Sequence, residues 1–467
     1  MSTIKIGSIH KDEVKTKNNK PVEQYMELLP YYQKLLDNEK TVVFMQVGDF
    51  FEIYGLVYPD GREIGNLWKI IDDLHLKIAS KSQSVYGDKN IEVKMAGIPI
   101  HAQDKYINMA VEDFSWNVIL IEQKGQDKNI IRYESAIITP GINSFCTQET
   151  NNLMVIFLEK VPSYTQPGIS TLYAGIAYLD CLTGESGLIQ YPYQGSVSDS
   201  IIYDEILKMI TIKNPAEIII YTQRLKMSQQ EIINHLHLNY NNYKILQDQI
   251  PDEFNKKDYQ TNLFKSVYEN KLGPNMDIYQ HLDLYEKPVC VTVLTMMLTY
   301  VIKRNNNILE QIQPPTFLYH LNDNLVCANN SLRQLNIINN NKREFYQERY
   351  TSLFDILNKT KTGMGKRLFK NRLMNPITIQ DQLQERYTFI REMKDIISLE
   401  EKNEIRKYLS HIQDIPRILR LFARKKISLP HLPGLHDTLV NVDKLLDILS
   451  QIMKQKENTI PIFQGKM

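Results

Sequence analysis

Thr41-Val42-Val43-Phe44-Met45-Gln46-Val47-Gly48-Asp49-Phe50-Phe51-Glu52-Ile53-Tyr54-Gly55 is the stretch that decides the fold. The apolar run from Val42 to Val47 predicts a buried strand. Gly48-Asp49 interrupts it. If Phe50 to Tyr54 is extended, its side chains alternate between two faces. Phe51 and Ile53 then share the core side, and Phe50, Glu52 and Tyr54 share the other. Such a strand gives up the burial of one ring and leaves an acid to face water or a ligand. Spacing alone also admits a Phe50 in the core and a Glu52 that is merely solvated.

Three motifs in order carry a resemblance. Gly48-Asp49-Phe50-Phe51-Glu52-Ile53-Tyr54 is similar to the Phe-x-Glu signature of the mismatch-recognition domain of the MutS family. Met95-Ala96-Gly97-Ile98-Pro99-Ile100-His101 resembles that domain's Gly-Ile-Pro-x-His turn, and Thr139-Pro140-Gly141 its closing Thr-Pro-Gly. The resemblance implies that Phe50 wedges beside a mispaired base, that Glu52 hydrogen-bonds to that base, and that the partner is double-stranded DNA carrying mispairs. The residue types suit the task. An apolar wedge unstacks a base step and kinks the duplex by roughly 20–90°, at least cost where a base is already mispaired. Arg132 and Lys124 are the candidate phosphate contacts. Relatives often carry a basic residue just before Ile-x-Thr-Pro-Gly; here Ala136 stands there, with Arg132 four residues earlier.

Composition narrows the field. A chain of 467 residues with 43% hydrophobic and 23% charged content reads as soluble, globular and multidomain. Fifty-five basic against 54 acidic residues leave a net charge of +1, so any DNA contact has to come from local patches. Cys146, Cys181, Cys290 and Cys327 are isolated, which argues against a zinc site or a disulfide framework and fits a reducing, intracellular compartment. Met1 to Lys20 is polar and does not read as a signal peptide. The apolar run Val289 to Ile302 contains three Thr, is shorter than the ~20 residues of a membrane span, and reads as a buried helix.

The expected fold class is multidomain: two α/β domains followed by an all-α domain. Residues 1–20 form a flexible lead-in. Residues 21–150 form a mixed-sheet mismatch-recognition domain, opened by a helix at Pro21 with Val22, Tyr25, Leu29, Tyr32 and Leu36 on one stripe. Residues 151–260 form a connector that resembles the RNase-H-like domain of MutS, with a linker near 151–168 and a hairpin turning at Thr183-Gly184. Residues 261–467 form an incomplete helical core and lever domain, with a strand-like lead over Leu321 to Asn339 and helices at Asp381 to Leu399, Glu401 to Arg424 and His436 to Met453. Ser352 to Phe369, with Thr360-Lys361-Thr362-Gly363-Met364-Gly365, is similar to the MutS core segment.

Asp180, with Glu185, Asp204, Glu205 or Glu217, is a candidate for a metal-dependent nuclease centre; the alternative is a turn cap beside Thr183. Lys359, Lys361, Lys366, Arg367, Lys370 and Arg372 cluster, either against phosphate or as a solvated, bracing face. A phosphate loop needs Gly, four residues, then Gly-Lys-Ser/Thr; Thr360 and Arg367 break that pattern around Gly365-Lys366. The chain is therefore not expected to be an ATPase. ATP and Mg2+ are expected only for an ATPase domain absent from it, and a second MutS-like subunit only for a complete protein. A further alternative is a non-catalytic remnant that pairs with full-length subunits.

Overall fold

Pro21 suits a first helical position, since its φ is preset and it has no N–H to satisfy. Helix α1 (Pro21–Leu36) buries the stripe its period predicts: Val22, Tyr25, Leu29, Tyr32 and Leu36. The computed structural model describes residues 20–36, 38–81, 85–88, 90–125, 130–144, 150–162, 170–191, 199–238, 242–269, 276–310, 312–317, 325, 334–337, 352–424 and 427–454. The expected N-terminal lead-in, most of Leu321 to Asn339, and Cys146 and Cys327 fall outside them.

Strands β1 (Thr41–Val47), β2 (Phe50–Val57) and β3 (Glu63–Ile64) follow α1, then helix α2 (Leu67–Leu74) and strands β4 (Ala79–Lys81) and β5 (Glu92–Pro99). Helix α3 (Gln103–Asn108) widens into a π turn at Met109–Asp113. Strands β6 (Asn117–Lys124) and β7 (Ile131–Ile138) complete the sheet, in the order β4-β5-β2-β1-β6-β7 with β3 on β2. β1 runs parallel to β6 and the other neighbours are antiparallel, so the sheet is mixed. Both faces are covered. Tyr25 of α1 meets Tyr54 edge to face at 5.4 Å, and Trp68 of α2 lies against Gly55, on the opposite face. That double cover is why β1 is continuously apolar, with Val42, Val43, Phe44 and Met45 each 0% exposed.

The second sheet comprises β8 (Asn152–Pro162), β9 (Ser170–Asp180) and β10 (Ser186–Tyr191), then β11 (Glu217–Gln223) and β12 (Tyr243–Gln247). Helices α4 (Asp199–Lys213) and α5 (Gln229–His235) stand between the later strands in sequence. β8, β9 and β10 form an antiparallel meander, while β11 and β12 run parallel to β8. A meander plus two parallel strands on its far side is the RNase-H-like arrangement. Residues 163–168 lie outside the described residues, and the remainder of the linker expected near 151–168 is not a linker. It holds β8, the strand between β11 and β9, whose Leu153, Met154, Val155 and Ile156 are 0% exposed. Pro162, at the strand's end, and Pro167-Gly168 beyond it suggested a linker where a buried strand stops.

Helices α6 (Lys257–Tyr268), α7 (Ile278–His281) and α8 (Pro288–Asn305) share one apolar core with this sheet, and strand β13 (Thr316–Phe317) pairs with β10. The expected boundary at residue 260 therefore falls inside a packed unit. The compact unit comprises residues 1–202 and 215–317; residues 203–214 and 318–467 form a second one. The apolar run Val289 to Ile302 is the buried helix α8. Its threonines fit there because Thr292 and Thr295 donate to the carbonyls of Pro288 and Val291, at 3.1 and 2.8 Å, and Thr299 Oγ1 lies 3.2 Å from the Tyr259 hydroxyl. Among the described residues no helix is long and apolar enough to cross a membrane.

The second unit carries α9 (Leu353–Leu357), α10 (Gly363–Met374), α11 (Gln380–Ile396), α12 (Leu399–His411), α13 (Ile415–Ala423) and α14 (His431–Lys454). α12 and α13 pack against α14. Caps mark the starts: Thr362 accepts from Gly365 N at 3.0 Å, and Ser398 with Glu401 forms a capping box. The helix expected from Glu401 to Arg424 is two helices, because Ile412 and Asp414 leave helical geometry and Pro416 starts a new turn.

Candidate nucleic-acid interface

The β1–β2 hairpin puts Phe50 at an edge. Its loop is Gly48-Asp49, with Gly48 at φ 61° in the first position, as tight hairpin turns require. Asp49 O accepts from Ile100 N at 3.0 Å, which ties the loop to the end of β5. Phe50 begins β2 opposite Val47 on one side and Pro99 on the other. It is 47% exposed, and its ring lies beside Gly97, where a Cβ would sit 3.5 Å from Cδ1. The Gly-Ile-Pro turn thus supplies a bare stretch of strand under the ring. Along the same face exposure falls quickly, to 8% at Glu52 and 0% at Tyr54, as α1 covers the strand.

Glu52 was expected to face only ligand or water, and the structure corrects this. Its Oε2 accepts a short hydrogen bond from the Tyr54 hydroxyl and one of 2.8 Å from Lys81 Nζ. Burial, then the bond to Glu52, pushes the Tyr54 phenol far above its ordinary range, so it stays a protonated donor. Arg132 is corrected as well. It is 8% exposed, donates to Gln24 Oε1 at 3.1 Å, and sits close enough to Tyr54 and Glu52 to feel their charge. Burial pulls its guanidinium below the usual range. Its place on β7 ties it to Gln24 of α1. Lys124, at the end of β6, is exposed.

Thr139-Pro140-Gly141 acts as a joint. Glu217 of β11, 9% exposed, accepts from the Thr139 hydroxyl, from Gly141 N at 3.0 Å and from the Tyr300 hydroxyl at 2.6 Å. A Cβ on Gly141 would lie 2.6 Å from Glu217 Cβ, so only glycine lets the chain pass. The motif thereby fastens the first sheet's exit to β11 and α8. Sequence reading noticed the motif but not its acidic partner, 76 residues away.

Asp180 takes the turn-cap reading. It accepts from Asn151 N and Leu182 N at 3.0 Å and from Thr183 Oγ1 at 2.7 Å. Burial raises its carboxyl despite those donors. Glu217 is committed elsewhere, and among the described residues no three His, Cys, Asp or Glu side chains are placed to share a metal. In the helical unit, Arg367 donates to Asp414 Oδ1 at 2.8 Å and Oδ2 at 2.5 Å, which ties α10 to the start of α13. For this residue of the basic cluster, the bracing reading is the observed one.

The mixed sheet, the RNase-H-like connector and the capped helices define a modular protein with an exposed phenylalanine at a strand end of its first domain. Residues 26–144 match the family description MutS domain I, and residues 330–462 match MutS domain III. A DNA mismatch repair MutS homologue of Acanthamoeba polyphaga mimivirus is 27% identical over 409 residues, covering 82% of this chain and 35% of its own length. The DNA mismatch repair proteins MutS of Thermotoga sp. and Thermotoga maritima are each 25% identical, covering 92% and 94% of this chain and 45% and 47% of theirs. The chain belongs to the MutS family. It spans less than half the length of these relatives.

Proposed function

We propose that this chain tests double-stranded DNA for mispaired bases, as the recognition part of a DNA mismatch repair protein. Phe50 carries the reading: an apolar ring 47% exposed at a strand end, inside the segment that matches MutS domain I. The ring enters beside a base pair and stacks on a base, a contact worth ~1–3 kcal/mol. A sound pair resists because unstacking it costs more than unstacking a mispaired one. Glu52, two residues on, accepts a hydrogen bond from the displaced base. Phosphate contacts come from local cations such as Lys124, so binding is weak and salt-sensitive. A second MutS-like subunit and an ATPase domain belong to the same proposal for the whole protein.

Phe50→Ala tests it. Titration against matched and singly mispaired duplexes should show the preference for the mispair fall by roughly five- to a hundredfold, the loss of one stacking contact. An unchanged preference rules the wedge out.

A further inference from the structure

Glu52 is half committed. The Tyr54 hydroxyl and Lys81 Nζ both act on Oε2, and among the described residues no hydrogen bond reaches Oε1. Lys81 Nζ also lies 3.3 Å from the Tyr54 oxygen and 5.3 Å from its ring centroid, so acid, phenol and ammonium close a triangle. The lysine comes from β4, which pairs with β5 so that Lys81, Val93 and Leu56 share the Glu52 face. Its side chain is 29% exposed and that of Glu52 only 11%, so the cation is the more accessible of the pair.

We infer that Lys81, with Tyr54, sets the mispair specificity of this face by clamping Glu52 through Oε2 and leaving Oε1 for a base N–H. The inference rests on the reading of Phe50 and Glu52 given above. Two physical effects follow from the geometry. A carboxylate held by two internal donors loses little further freedom when a base binds, so its hydrogen bond is gained at low entropic cost. A cation 2.8 Å away also offsets the repulsion between the acid and nearby phosphates. Without it, Glu52 would repel nearby phosphates more strongly and be held by the Tyr54 hydroxyl alone. Lys81 is a positioning residue here, since it acts through Glu52 and not on the base.

The competing role for Lys81 is a direct phosphate contact, which makes a different prediction. A phosphate contact strengthens matched and mispaired duplexes alike, and its loss lowers the salt slope by about one. The experiment titrates the 467-residue chain against labelled duplexes, matched or carrying one G·T pair, over a range of salt. Wild type, Lys81→Met, Lys81→Arg and Tyr54→Phe are compared, with Lys81→Met repeated in a Glu52→Ala background, and melts confirm that each variant is folded. Lys81→Met should lower the mispaired-to-matched affinity ratio by roughly three- to tenfold, the net scale of one ordinary intramolecular hydrogen bond. Lys81→Arg should restore most of it, and Lys81→Met should change nothing further once Glu52 is Ala. An equal loss on both duplexes with a smaller salt slope overturns the clamp, as does a further loss of preference in the Glu52→Ala background. If wild type prefers the mispair and Lys81→Met leaves that preference intact, only the clamp fails. If wild type shows no preference, or Phe50→Ala keeps it, the reading of the site fails and takes the clamp with it.

Discussion

Glu52 and Glu217 are both buried acids, and their donors separate their roles. Glu217 uses both oxygens within the protein: Thr139 and Gly141 on Oε2, Tyr300 on Oε1. Glu52 uses only Oε2. In each case a buried tyrosine is pushed well above its ordinary range, by burial first and by the acid second, and so stays a donor. Glu217 is thus a joint, whereas Glu52 keeps acceptor capacity in reserve. Thr139→Val tests the joint. Loss of a buried hydrogen bond to a charged acceptor should destabilise by about 1.5–3 kcal/mol, read as a lower urea midpoint at unchanged slope. A midpoint that does not move would show that the bond contributes nothing. At this scale the exposure of Phe50 was legible from strand alternation beside Gly48-Asp49. The partners of Glu52 and Arg132 were not, because Lys81 and Gln24 lie 29 and 108 residues away in sequence.

Elements were legible where a helical period or a clean apolar run stood out, and misread where turn-forming residues lay at the end of such a run. α1 shows its stripe because Val22, Tyr25, Leu29, Tyr32 and Leu36 recur at helical spacing, although Tyr31 and Leu35 stand exposed on its outer side. β8 shows no alternation, since Leu153 to Leu158 are buried on both faces between neighbouring strands. A wholly apolar strand bordered by prolines has no local mark to separate it from a linker's edge. The attachment of α2 was also hidden. It depends on Trp68 lying over Gly55, where a Cβ would come within 2.6 Å of the indole. Gly55→Ala should force the ring off its bed and cost roughly 1–3 kcal/mol, measured by the same unfolding curves. Gly97→Ala is the control. Its Cβ would meet Phe50 at 3.5 Å, an ordinary contact, so stability should change far less.

For the whole molecule the instructive misreading is the boundary at residue 260. Helical texture begins there, and the change of texture looked like a change of domain. Yet α6, α7 and α8 bury Phe264, Leu294 and Met297, among others, in the same core as β8, β9 and β11. A chain ending at 317 should therefore keep the connector's core closed and show a cooperative melt for it. One ending at 260 should expose the connector's apolar face and aggregate. Equal behaviour of the two would show that the connector's core closes without α8.

The sequence alone determined the family, the exposed ring and the order of domain types, because these rest on local signals: short motifs, strand alternation and helical period. Tertiary structure alone decided which acid keeps one oxygen unbonded, which arginine is hidden, and which helices share the second sheet's core. Those outcomes depend on which distant segments share a face or a core, and a chain read in one dimension carries no local record of such neighbours.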